Sequence, residues 1–320
     1  MQVIFKIPRQ KFNSALVYQE YIIAVEKGNT ILECLNKIKW ELDGSLAFRK
    51  NCRNTICGSC AIKINGTSAL ACKENVGRYI NGDSEIPNKI SLAPLANLPI
   101  IKDLVVDMQK FWEHLESTAP FVQTSPLPDR EFLQSEQERA MLNQTSNCIS
   151  CGACYSECNA KIVNDEFIGP HALVKAQRLL IDSRDISTDE RLKLYSNGLS
   201  GVWGCTRCYQ CNVVCPMEVE PMEQIGLIKQ QVLQSIDLEE TIAVRHRRVL
   251  IDLVKQGGWI DERRFAILVL GNSFKDIKAL LKLFPLGIRM VISGKFPFKF
   301  RPSQACHEVS ALIESVKAGS

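Results

Sequence analysis

What this chain of 320 residues lacks narrows its function quickly. It has only four histidines, and no Ser–His–Asp set, paired carboxylates or glycine-rich phosphate loop stands out, so no familiar hydrolytic or nucleotide chemistry is indicated. No run approaches the roughly 20 apolar residues needed to span a bilayer. Met1 to Arg9 alternates like a strand and does not join a charged region to an apolar core, so no signal peptide is expected. The formal net charge of +4 is too mild to suggest nucleic acid. At 46% hydrophobic content the chain can still build a core for each of two compact domains.

What it does have is cysteine, fourteen in all. Without an export signal, metal ligation accounts for them better than a disulfide framework. Two runs share one spacing, C-x2-C-x2-C-x3-C: Cys148, Cys151, Cys154 and Cys158, then Cys205, Cys208, Cys211 and Cys215 followed by Pro216. This run wraps cubane clusters in two-cluster ferredoxins, where the fourth cysteine ligates the other cluster. Three closely spaced thiolates cap three corners from one short loop, and the fourth corner is met from elsewhere. Applied here, one [4Fe–4S] cluster takes Cys148, Cys151, Cys154 and Cys215, and the second takes Cys158, Cys205, Cys208 and Cys211. A third set, Cys52, Cys57, Cys60 and Cys72, has the C-x4-C-x2-C…C spacing of plant-type [2Fe–2S] sites. Gly58 serves that loop, which needs unusual backbone angles and N–H groups aimed at sulfur. The bland alternative throughout is structural zinc, for which a third and fourth cysteine at these offsets would be surplus. Iron is therefore the metal expected at these twelve cysteines. Cys34 lies on an apolar helix face and reads as a core thiol, and Cys306 reads as having no redox role. Counting about −2 for each of three oxidised cluster sites takes the loaded chain to about −2.

The pattern predicts an α+β chain. Val3, Phe5 and Ile7 mark a first strand and Leu16 to Val25 a second. Thr30 and Glu33 form a capping box for a helix carrying Ile31, Leu35, Ile38 and Leu42, stopped by Gly44. Residues 83–128, with prolines at 87, 94, 99, 120, 126 and 128, read as a linker around one helix from Ile101 to Leu115. Beyond Asp129 the chain reads as helical. One helix opens at Gly169-Pro170 and carries Leu173, Ala176 and Leu180. Another is boxed by Ser187 and Glu190 and ends at Gly198. A third runs from Pro221 through Ile225, Ile228 and Val232. His171 is assigned to the surface or to packing, because the cysteine count is complete without it. Four segments follow: 1–105, 106–128, 129–235 and 236–320. In the last, seven bases and one acid between Asn272 and Arg301 lie among apolar residues, which suits a membrane surface, a partner, or a solvated face on its own domain. Pro285 and Gly287 are expected to break any single helix there.

A plant-type motif followed by a two-cluster motif resembles the iron–sulfur subunit of the succinate dehydrogenase/fumarate reductase family. Phe48-Arg49-Lys50-Asn51-Cys52, Cys57-Gly58-Ser59-Cys60-Ala61, Leu70-Ala71-Cys72-Lys73, Ile101 to Met108, Gly169-Pro170 and Asp182-Ser183-Arg184-Asp185 carry the likeness over roughly residues 1–235. The resemblance implies a β-grasp ferredoxin domain, then an α-helical ferredoxin domain, with no catalytic residue on this chain. It implies a flavoprotein partner containing FAD and a quinone-reactive or cysteine-rich membrane-side subunit. Electrons would pass between them through the three clusters. The chain would be peripheral, on the cytoplasmic side of a membrane. Succinate dehydrogenase is the leading reading. Fumarate reductase, a heterodisulfide-reductase-like module and a zinc scaffold are the alternatives. Many members lack a cysteine where Cys208 stands and carry a [3Fe–4S] centre, so Cys208 implies [4Fe–4S] here. Members linked to quinone often have Pro, Trp and His where this chain has Asn159, Val163 and Thr206. That pattern resembles a branch whose membrane partner is like a heterodisulfide-reductase subunit.

Overall fold

The computed structural model describes residues 1–10, 16–80, 88–196, 198–234, 241–296 and 298–318. Pro87 and the boundary at 235–240 lie outside them. Two compact units emerge, Met1–Ser235 and Ile236–Ser320.

The first unit begins with strands β1 (Gln2–Arg9) and β2 (Val17–Ala24), joined antiparallel with Phe5 opposite Tyr21. Helix α1 (Ile31–Lys37) follows and ends in one π-helical turn, Ile38–Leu42. Its expected capping box is present: Thr30 Oγ1 accepts from the Glu33 N–H at 3.2 Å, and Glu33 accepts from the Thr30 N–H at 2.7 Å. Strands β3 (Ala61–Ile64), β4 (Thr67–Leu70) and β5 (Asn88–Ala93) complete a five-stranded sheet ordered β2-β1-β5-β3-β4. β1 and β5 are parallel and the other pairs antiparallel, a β-grasp arrangement with α1 packed on its face. Val3, Phe5 and Ile7 are fully buried, each contributing about 1.5–3 kcal/mol over exposure. Cys34 is buried among them as a core thiol, its pKa pushed up to about 12 by burial.

The helix expected from Ile101 is not formed as a whole. Residues Ile100–Lys102 (β6) and Val105–Val106 (β7) make a small hairpin, and helix α2 begins only at Gln109, running to Glu116. The reason sits at the turn. Asp103 adopts a left-handed backbone (φ 51°), and its fully buried carboxylate accepts the N–H groups of Gln10 and Ala47 at 2.9 and 2.8 Å beside Arg9. Satisfying those distant groups outweighs the helical spacing of the apolar residues.

Helices then dominate: α3 (Glu136–Ser146), α4 (Ala153–Ser156), α5 (Asn159–Val163), α6 (Pro170–Leu180), α7 (Thr188–Tyr195), α8 (Gln210–Val213) and α9 (Pro221–Gln234). The starts at Pro170 and Pro221 are as expected, and α6 packs on α9 with Leu173, Ala176, Ile225, Ile228 and Val232 buried. Helix α3 has a capping box of Ser135 and Glu138 that the sequence reading passed over. The box expected at Ser187 is absent, and α7 stops at Tyr195, short of Gly198. Ser187 Oγ donates instead to Gln123 Oε1. Beside it Arg191, almost fully buried, pairs with Asp185 at 2.8 Å and donates to the carbonyls of Ala119 and Phe121, fixing the 118–123 segment against α7.

The second unit contains α10 (Ile242–Gly257), α11 (Glu262–Val269), α12 (Ile277–Ile292) and α13 (Cys306–Ala318). Its small core includes Val244, Leu253 and Val269. Contrary to expectation, α12 runs unbroken through Pro285 and Gly287. A helical proline deprives the carbonyl four residues earlier of its donor. Here that residue is Leu281, which is exposed, so water can replace the lost bond.

Candidate functional site

The two cubane-type runs fold into the same local structure. In the first, Ser150 and Gly152 hold positive φ (52° and 84°), and α4 starts five residues after Cys148. In the second, Arg207 and Tyr209 hold positive φ (58° and 70°), and α8 starts five residues after Cys205. Left-handed backbone at alternate positions turns successive N–H groups toward a common centre, a nest for negative charge. The [2Fe–2S]-type loop does the same with Arg53, Thr55 and Gly58 at φ 60°, 58° and 70°. Backbone N–H groups already reach its sulfurs: Asn54 and Cys57 to Cys52 at 3.3 Å, Cys52 to Cys57 at 3.4 Å, and Thr55 to Cys72 at 3.3 Å.

The sulfurs gather in three sets. Cys148, Cys151, Cys154 and Cys215 sit within mutual electrostatic reach, and all four line one cavity with apolar walls that include Ile149, Val174 and Val219. Cys158 and Cys211 are in reach of Cys205 and Cys208. Cys60 neighbours Cys72 and Cys57. The fourth cysteine of each run thus lies with the other run's first three. Cys154 is also within reach of Cys211, so the two helical sets adjoin.

Burial raises the thiols most enclosed: Cys60 and Cys211 to about 12, Cys151 to about 11, Cys154 and Cys158 in the same direction. Cys57 goes the other way, to about 6: burial opposes ionisation, but the Ser59 hydroxyl and the N–H groups of Cys52 and Ser59 outweigh it. Enclosed sulfurs that accept backbone N–H groups suit a group that brings its own positive metal.

Other residues lock the loops in place. Gly58 presses so closely on the first run that a Cβ there would lie 2.8 Å from the Cys151 Cβ. Ser156 accepts the Ala96 N–H and the Ser68 hydroxyl, both at 2.8 Å, while Glu157 accepts from Ser68 and Lys63. Lys73, next to Cys72, donates to the Pro216 carbonyl at 2.8 Å. His171 is buried and stacks on Phe111 at 3.7 Å, its Nε2 donating to the Phe111 carbonyl; burial brings its pKa down to about 3. It packs as a neutral ring, one of the two roles expected of it.

Sequence reasoning missed a matched pair. Lys175 on α6 donates to the Cys148 carbonyl at 2.9 Å, and Lys229 on α9 to the Cys205 carbonyl at 3.0 Å. Each cation thus sits against the first cysteine of a run. The lysines lie 27 and 24 residues downstream of those cysteines, so aligning the two runs does not superimpose them.

Comparison with known proteins is decisive. Residues 3–113 match the 2Fe-2S iron-sulfur cluster binding domain, and residues 144–219 match the 4Fe-4S dicluster domain. The succinate dehydrogenase iron-sulfur subunit of Paracoccus denitrificans is 36% identical over 219 residues, covering 68% of this chain and 82% of its own. This chain belongs to the succinate dehydrogenase/fumarate reductase iron–sulfur subunit family. The fumarate reductase iron-sulfur subunit of Mycobacterium tuberculosis is 35% identical over 224 residues, 69% of this chain and 88% of its own. The Sdh1 complex of Mycobacterium smegmatis contains a chain of the same fold, with TM-score 0.66 at 22% identity over 73% of this chain and 96% of that one. As an iron–sulfur subunit of this family, the chain is an electron-transfer component of an oxidoreductase. The Asp182-Ser183-Arg184-Asp185 stretch that pointed to the family is structural here. Asp182 takes Arg178 and Arg184, and Asp185 takes Arg191.

Proposed function

We propose that this chain is the electron-transfer subunit of a succinate dehydrogenase, working between an FAD-containing flavoprotein and a membrane-side acceptor on the cytoplasmic face. Cys52, Cys57, Cys60 and Cys72 hold a [2Fe–2S] cluster. Cys148, Cys151, Cys154 and Cys215 hold one [4Fe–4S], and Cys158, Cys205, Cys208 and Cys211 a second. These clusters supply one-electron redox chemistry that no side chain here offers. The observation that carries the reading is the crossed gathering of cysteines on two loops of one backbone geometry. The chain's own residues position and insulate: left-handed N–H groups face sulfur, apolar walls exclude water, and Lys175 and Lys229 place charge at the two helical sites. Residues 1–105 and 129–235 act as the two ferredoxin domains, with 106–128 between them.

The test is anaerobic purification of the native complex. About ten irons per chain, a succinate-reducible signal and a co-purifying flavoprotein are expected. A colourless chain with stoichiometric zinc would sink the proposal. Cys208→Ser should lose about one iron and gain an oxidised three-iron signal, whereas such a signal in the unaltered protein would remove the second [4Fe–4S] assignment. Fumarate reductase is the second reading, favoured by relatives such as that of Haemophilus influenzae, 37% identical over 219 residues. Relative rates of succinate oxidation and fumarate reduction by the complex separate the two.

A further inference from the structure

Helix α12 carries an exposed apolar stripe at Ile277, Leu281, Phe284, Ile288 and Val291, each between 44% and 65% exposed. Their 4-3-4-3 spacing puts them on one face of the helix. Along one edge of the stripe the helix is more covered: Leu280, Leu283 and Met290 are half-buried, and Leu280 lies against Gly271. The stripe is therefore left over after the unit has packed.

Charge selects the occupant. Lys278, Lys282 and Arg289 lie together about a third of a turn round from the stripe. From Asn272 to Arg301 the only acid is Asp276, whose carboxylate is taken up accepting the Ala279 N–H at 3.0 Å at the helix start. A helix pairing with another helix along such a seam usually carries both charge signs on its flanks. A purely basic flank matches an anionic surface instead. Phe274 and Phe298, exposed on either side of the helix, are residues suited to burial among lipid headgroups. Among the described residues no helix is long and apolar enough to cross a membrane.

We propose that α12 is a membrane-surface anchor. It lies in the plane of an anionic lipid leaflet, with Ile277, Leu281, Phe284, Ile288 and Val291 entering the acyl boundary and Lys278, Lys282 and Arg289 meeting lipid phosphates. This goes beyond the proposed electron-transfer role and gives the chain its own lipid contact, whatever acceptor it serves.

The full chain carrying its clusters is sedimented with vesicles of phosphatidylcholine alone, or of phosphatidylcholine with a quarter phosphatidylglycerol. Binding is expected to the anionic vesicles only, and to weaken steeply with added salt. Replacing Lys278, Lys282 and Arg289 by glutamine should lower partitioning on the order of a hundred-fold. Leu281→Glu with Phe284→Glu should lower it about ten-fold or more. Iron content and circular dichroism show that the variants keep their fold. The proposal is overturned if the unaltered chain ignores anionic vesicles or binds them regardless of salt, or if folded variants bind as well as the parent. It is also overturned if the parent is a dimer that the Leu281/Phe284 variant makes monomeric, since the stripe would then pair two copies.

Discussion

The contact between the [2Fe–2S]-type loop and the first helical run can be tested at one atom. Gly58 has φ +70°, and an added Cβ would lie 2.8 Å from the Cys151 Cβ, 2.9 Å from its Cα and 3.2 Å from the Ile149 carbonyl oxygen. Alanine in left-handed backbone costs roughly 1–2 kcal/mol. Carbon atoms pack best at about 3.5–4.0 Å, so one loop must also retreat, which adds about 1–3 kcal/mol in a well-packed site. Gly66 supplies the control, with φ +89° and nothing within 4 Å of its added Cβ. Gly66→Ala carries the backbone cost alone. At about 2–4 °C per kcal/mol for a unit of this size, Gly66→Ala should lower the unfolding midpoint by about 2–8 °C. Gly58→Ala should lower it by about 2–12 °C more. The assay is thermal unfolding of the anaerobic cluster-loaded protein at fixed scan rate, followed by circular dichroism and visible absorption. Equal shifts for the two variants would refute the close approach of the loops.

Two further predictions concern charge. Lys175→Met should lower the midpoint potential of the cluster proposed at Cys148, and Lys229→Met that of the cluster proposed at Cys205, each by on the order of tens of millivolts, because a nearby cation favours the reduced state; redox titration followed by EPR reads this, and no shift in either refutes it. Burial works to raise the Asp185 carboxyl, but Arg191 and the N–H groups of Gln123 and Ser187 prevail and hold it below its usual range. A carboxyl lowered by folding stabilises above its unfolded pKa of about 4, and that stability is lost as pH falls through the folded value. Arg191→Met strands the buried carboxylate and should cost about 3–5 kcal/mol at pH 7, a penalty that shrinks towards pH 4; a penalty independent of pH would contradict the assignment.

Local spacing explains why so much of the site could be read in advance. The close cysteine triplets, the proline-started helices α6 and α9, and the Thr30 box all depend on residues a few positions apart. Failures came where a distant partner decided the outcome. The helical rhythm from Ile101 gave way because the Asp103 carboxylate satisfies N–H groups at Gln10 and Ala47, far back in the chain. Ser187 leaves its box for Gln123. Lys175 and Lys229 look like ordinary helix-surface lysines until folding brings each onto a carbonyl more than 20 residues away. Helix α12 continues through Pro285 because the residue that loses its donor, Leu281, is exposed.

The loop backbone also says how iron and stability must be linked. Arg53, Thr55, Ser150, Arg207 and Tyr209 are not glycine, yet all sit at positive φ between or beside cysteines. Each such residue costs of order 1–2 kcal/mol, and only bonds to something inside the loop can repay it. The strands stand on different ground, since Val3, Phe5, Ile31, Leu35, Ile90 and Leu92 bury an apolar core that needs no metal. Removing iron with an anaerobic chelator should therefore act unevenly. Amides of residues 148–158 and 205–215 should lose most of their hydrogen-exchange protection, while β1 and β5 keep theirs. If the cysteine loops stayed protected after all iron had gone, their strained backbone would have to be held by protein contacts alone. The case for metal as the element that fixes these loops would then fail.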